Sequence, residues 1–194
     1  MKLDRFLIEE FIARCQQALD MCVLHKELFD RNTEHGHMKI EPYYSLFGRI
    51  QRMTQEHSSL EITKLHDPGQ QNGRSNLSLD YIIKLGAWSA EVYKELTELR
   101  DQMGDLYSAI KPARNRALCH NDVESIQNRE VLGAFEKDAD EPYFAILEKF
   151  LNLVCLSSFN ERFSFERTLK PDIDEFIAHF NRTEQGGGVS QTDT

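Results

Sequence analysis

The sequence predicts an all-α protein, a single-domain bundle of about six or seven helices. Apolar residues recur at three- and four-residue spacing in one segment after another, and no stretch alternates apolar with polar residues as a half-buried strand would. Length agrees, since 194 residues is close to one domain at ~150 residues each. With 40% hydrophobic and 28% charged residues, 10 Gly and 5 Pro, the chain has enough apolar mass for one core and too little bias for a collagen-like or disordered chain.

The first element rests on Phe11, Cys15, Leu19 and Cys22, which line one face of a helix ending near Phe29. Asp30 to His37 carries loop chemistry. Pro42 suits the first turn of a second helix, whose stripe is Tyr43, Phe47, Ile50 and Met53, running toward Leu60. Between His66 and Asn76 the run DPGQQNGRSN breaks regular structure, and LSLDYIIKL then forms a short helix with Ser78 near its cap. Trp88 follows as a core or interface anchor. Val92, Leu96, Leu99, Met103, Leu106 and Ile110 repeat at 4, 3, 4, 3, 4, which predicts one long helix. Pro112 interrupts it, kinking the helix or starting a new one over Ala113 to His120. Asp122 to Asp140 reads as a long acidic loop with an extended piece around Val131 to Phe135. Phe144, Leu147, Leu151 and Val154 restore helical spacing, and Pro171, Ile173, Phe176, Ile177 and Phe180 mark a last short helix. The domain is expected over 1–182, with a disordered tail from 183 to 194.

Charge narrows the function. Against 32 Asp and Glu stand 23 Lys and Arg, a formal net charge of −9, which excludes a broad binding surface for nucleic acid or anionic membrane. No apolar run reaches the ~18 residues of a membrane span, and four scattered cysteines form neither a zinc pattern nor a disulfide framework. A cytoplasmic chain with reduced thiols is expected. The charge is uneven, however. Leu106 to Asn121 holds Lys111, Arg114 and Arg116 and no acid, whereas Asp122 to Phe150 holds eight acids and three bases.

That local cationic stretch ends at His120, and the combination suits RNA cleavage. The 2′-hydroxyl attacks the neighbouring phosphorus once a base near neutral pKa takes its proton, and histidine serves for that step or for protonating the leaving oxygen. Arginine grips phosphate oxygens with a planar fork and stabilises the transition-state charge. Neither a metal nor a cofactor is needed. On one continuous helix Arg116 and His120 share a face, but Arg114 lies six residues from His120, rotated by roughly 240°. Arg114 then reaches around, sits on a bent turn after Pro112, or acts across a two-fold dimer, which would also supply the second histidine that acid and base together require.

Arg114-Asn115-x4-His120 resembles the Arg-x4–6-His motif of the HEPN superfamily, all-helical domains many of which are metal-independent RNases acting as homodimers in toxin–antitoxin, abortive-infection and CRISPR-associated systems. Leu65-His66-Asp67-Pro68 followed by Asn76-Leu77-Ser78-Leu79 is similar to the AbiU-like branch, in which a Leu-Asp-Pro turn and an Asn-Leu-Ser-Leu helix start recur at this distance. The resemblance covers Glu41 to Asp122. It implies catalytic roles for Arg114 and His120, a supporting polar role for Asn115, RNA as substrate and a homodimer. Read from the residues themselves, Lys111 and Arg116 are candidate phosphate-binding cations, Arg116 alternatively pairing with Asp122 or Glu124, and an antitoxin or nucleotidyltransferase is a candidate partner.

Other readings compete at each position. Arg114 and His120 could lie on a solvated helix face whose cations pair with the acidic loop that follows. Cys119 beside His120 is a packed thiol rather than a nucleophile, because adjacent helical residues point about 100° apart. Glu34-His35-Gly36-His37 reads as a polar turn in preference to a metal fragment. The expected function is a metal-independent endoribonuclease in phage defence; the alternative is an inert helical module that binds RNA, a nucleotide or a protein.

Overall fold

A computed structural model describes residues 3–31, 43–115 and 138–186, and it is all-α apart from one minute hairpin. Among the described residues the order is α1 (Arg5–His25), a π-helical segment Lys26–Asp30, α2 (Tyr44–Leu65), β1 (Gln70–Gln71), β2 (Arg74–Ser75), α3 (Leu79–Leu85), α4 (Ala90–Gln102), α5 (Gly104–Ala113), α6 (Asp140–Phe159) and α7 (Leu169–Gly186). Residues 32–42, 116–137 (most of the acidic segment Asp122 to Asp140, with the extended piece expected at Val131 to Phe135) and 187–194 lie outside the described residues, while Asp30 and Arg31, expected to open a loop, are helical. Two compact units are formed, Met1–Leu19 with Glu56–Glu166, and Asp20–Gln55 with Arg167–Thr194.

In the first unit the periodic residues of the sequence make the core. Phe11 and Cys15 of α1, Leu96 and Leu99 of α4, and Leu147, Phe150, Leu151 and Val154 of α6 are all buried, with α4 lying along α6. Phe11 meets Phe150 edge to face, centroids 6.4 Å apart. Ser78 caps α3 by accepting the Tyr81 amide at 3.3 Å, as its sequence position predicts, and Ser89 caps α4 through the Val92 amide. Trp88 folds back over Gly86 and donates its indole N–H to the Ile82 carbonyl at 3.1 Å, closing the end of α3.

The expected long helix is two helices. Its stripe is buried from Leu96 to Ile110, but the chain breaks at Met103, where the amide turns back to the Arg100 carbonyl at 3.2 Å and Gly104 begins α5. Glycine is the residue least able to hold a helix together after proline. Pro112, where the sequence places the interruption, instead sits inside the last turn of α5. Its effect comes just after it, since Arg114 and Asn115 widen into a π-type turn.

The run DPGQQNGRSN also holds more order than its composition predicts. Gln70 pairs with Ser75 and Gln71 with Arg74 around Asn72 and Gly73, both at positive φ, the two-residue Asn-Gly hairpin turn.

In the second unit Leu28, Phe29, Phe47 and Ile173 form the core, with Phe180 edge-on to Phe47 at 5.7 Å. The expected stripe of the second helix holds at Phe47 but not at Met53, which is 67% exposed. Thr54 is buried in its place, bonded to His25 Nδ1 at 3.0 Å. The last helix is 18 residues rather than short.

Candidate functional site

The site begins at the C-terminal end of α2. Leu65 is buried, the amides of His66 and Asp67 close back on the Thr63 and Lys64 carbonyls at 3.1 Å each, and Pro68 stops the helix. The turn is then tied to the start of α3. Asn76 Nδ2 donates to the Pro68 carbonyl at 2.8 Å, its amide donates to the Gly69 carbonyl at 3.1 Å, and the Gly69 amide donates to Asp80 Oδ2 at 2.9 Å. A Cβ on Gly69 would stand 2.9 Å from the Tyr81 backbone, so only glycine permits this approach. Burial disfavours the Asp80 charge, but Lys84, the Gly69 amide and Arg100 outweigh it and hold the carboxyl below its usual range. The Leu-His-Asp-Pro and Asn-Leu-Ser-Leu runs are thus one hydrogen-bonded unit.

This turn lies along a face of α5. Tyr107, Lys111 and Arg114 stand at i, i+4 and i+7, the spacing that shares a face. His66 stacks on Tyr107 with centroids 4.5 Å apart and planes 13° apart, and Asp67 meets Arg114 through two hydrogen bonds, Nη1 to Oδ1 at 2.5 Å and Nη2 to Oδ2 at 3.0 Å. The pair is mostly buried, with side chains 24% and 16% exposed. Lys111 is exposed, its Nζ 5.4 Å from the Tyr107 centroid. From α6, the buried Tyr143 places its hydroxyl 3.1 Å from His66 Nε2. Burial, with the nearby Arg100 charge, lowers the His66 pKa to about 4, so the ring is neutral near pH 7.

Of the residues expected at the site, Lys111, Arg114 and Asn115 fall at the end of α5, Asn115 exposed; His120, Arg116 and Cys119 lie outside the described residues, as do His35 and His37. The structure adds four residues to which the sequence reading assigned no role: His66, Asp67, Tyr107 and Tyr143. It also gives Arg114 a carboxylate from a turn far upstream, so the cationic stretch of Leu106 to Asn121 is not unopposed.

A family model of HEPN-type AbiU2 domains matches residues 6–183. The chain belongs to the AbiU2 family of HEPN domains. No curated protein and no solved structure matches it. As an AbiU2 domain it is an abortive-infection-related HEPN protein, and both halves of the resemblance read from the sequence fall within the match. In this AbiU2 chain no helix among the described residues is long and apolar enough to cross a membrane. Arg114 is presented by a widened turn rather than by a straight helix, held from the side by Asp67.

Proposed function

We propose that this AbiU2 domain, residues 1–182, is a metal-independent endoribonuclease of phage defence, acting on RNA in the cytoplasm as a homodimer. His120 serves as acid or base, Arg114 as the cation on the transition state, Asn115 as a supporting polar group, and Lys111 and Arg116 as phosphate-binding side chains. The observation that carries this reading is the placement of Arg114: the family's motif arginine stands at the end of α5, oriented by a bidentate carboxylate, one turn from an exposed lysine. A toxin role, with an antitoxin or nucleotidyltransferase as its neutralising partner, is part of the same reading.

The test is direct. Purified protein is expected to cleave single-stranded RNA in EDTA, and His120→Ala and Arg114→Ala each to lower the rate at least a hundredfold. Intact RNA, or cleavage that survives both substitutions, overturns the proposal.

A second reading is favoured by a specific contact. Because the Arg114 fork is closed on Asp67, the domain could bind a partner through its remaining cations without cleaving RNA. Binding that depends on Lys111 and Arg116, with no RNA products, would select that reading.

A further inference from the structure

Arg114 already holds an anion. Both ends of its fork are engaged by Asp67, in the side-by-side geometry with which arginine binds a phosphate. We infer that Asp67 is a resident counter-anion at the RNA-binding site, one with which a phosphodiester competes for Arg114, so that this carboxylate sets the affinity of the site. The inference rests on the reading of Arg114 as an RNA contact and adds to it the residue that governs how tightly RNA is held.

The electrostatics follow from distance. A phosphate seated about 4 Å from the guanidinium lies about 6 to 7 Å from the carboxylate, and since the interaction falls as the inverse of distance, repulsion cancels more than half of the attraction. Burial strengthens the effect, because a pair this far removed from solvent is weakly screened. Lys111 does not compensate from the same spot, its ammonium lying over Tyr107 one turn earlier on α5. Asp67 is also well held, by its amide on the Lys64 carbonyl and by the Pro68 and Gly69 anchors to Asn76 and Asp80, so it does not swing away at no cost.

The outcome separates competition from simple support. A carboxylate that only positions Arg114 weakens RNA binding when removed, whereas one that competes strengthens it. Asparagine at 67 keeps an oxygen to accept one guanidinium hydrogen bond while removing the charge. The probe is a mixed-sequence 2′-O-methyl dodecanucleotide, which cannot be cleaved, followed by fluorescence anisotropy at low salt. Asp67→Asn is expected to bind it about tenfold more tightly than the wild type, and the gain to vanish in Asp67→Asn/Arg114→Ala. Asp67→Ser, smaller and equally neutral, is expected to move affinity in the same direction, and thermal midpoints confirm which variants are folded. Equal or weaker binding by the folded variants, in a protein whose binding does depend on Arg114, overturns the competing role and leaves the RNase reading standing. Wild-type binding that is absent or indifferent to Arg114→Ala overturns both.

Discussion

Arg114 closes on Asp67 with two hydrogen bonds across 47 residues of sequence, joining the end of α5 to the turn that follows α2. The contact fastens Arg114 to the Leu-His-Asp-Pro turn, on the same face of α5 where His66 stacks on Tyr107. Removing either partner takes this bidentate contact from a mostly buried charge, and that loss exceeds what the pair contributes on balance.

A double-mutant cycle measures the pair itself. Arg114→Ala and Asp67→Ala are each expected to lower unfolding stability by about 1 to 3 kcal/mol, and the double variant by less than their sum, with a coupling of about 1 to 2 kcal/mol. Urea unfolding of the four proteins supplies the numbers. Additive losses would mean that the two side chains do not support each other.

His66 predicts a pH dependence. Its pKa falls from 6.5 in the unfolded chain to about 4 in the fold, so protons bind preferentially to the unfolded state. The stability it contributes is complete above pH ~6.5 and is lost as pH falls toward 4, a loss of about 3 kcal/mol for a shift of this size. His66→Gln keeps a polar group opposite the Tyr143 hydroxyl but does not titrate. The stability difference between wild type and this variant, followed by urea unfolding from pH 7 to pH 4, is expected to swing toward the variant by that amount. A difference that stays constant with pH would place His66 in contact with solvent.

Much of this was legible in the sequence because periodicity reports burial. Leu96, Leu99, Met103, Leu106 and Ile110 are buried as their spacing predicts. Continuity was not legible, since a break at Met103 leaves the stripe in phase, and the weak point was Gly104, which carries no apolar signal. Pro112 was the stronger warning in the sequence and had the smaller effect, because proline near the end of a helix sacrifices little of the hydrogen bonding that follows it. For the site, Arg114 and Lys111 could be picked out by local charge and motif. Asp67 and His66 could not, although the resemblance quoted both, because their roles depend on a turn meeting α5 from a distant part of the chain. Tyr107 was hinted at by its i, i+7 relation to Arg114, but a lone tyrosine on a helix face reads as core until a ring is found against it.

The proposed dimer makes a prediction that does not depend on measuring mass. Were α5 to continue as an α-helix through His120, Arg114 would be rotated by roughly 240° from the histidine of its own chain. Arg114 of one protomer is therefore expected to work with the histidine of its partner. Arg114→Ala and His120→Ala chains, each inactive alone, are expected to recover activity when unfolded together and refolded as a mixture. Half the dimers are then mixed, and each regains one arginine–histidine pair but holds a single His120, so the mixture should reach about a quarter of wild-type RNA cleavage where one histidine per pair suffices and none where acid and base each need a histidine. If both residues of a working pair came from one chain, no mixing ratio would restore any. Recovery near a quarter thus requires sharing across the interface with one histidine per site, whereas its complete absence, in a mixture shown to contain mixed dimers, would mean either that the pair comes from a single protomer or that both histidines act together.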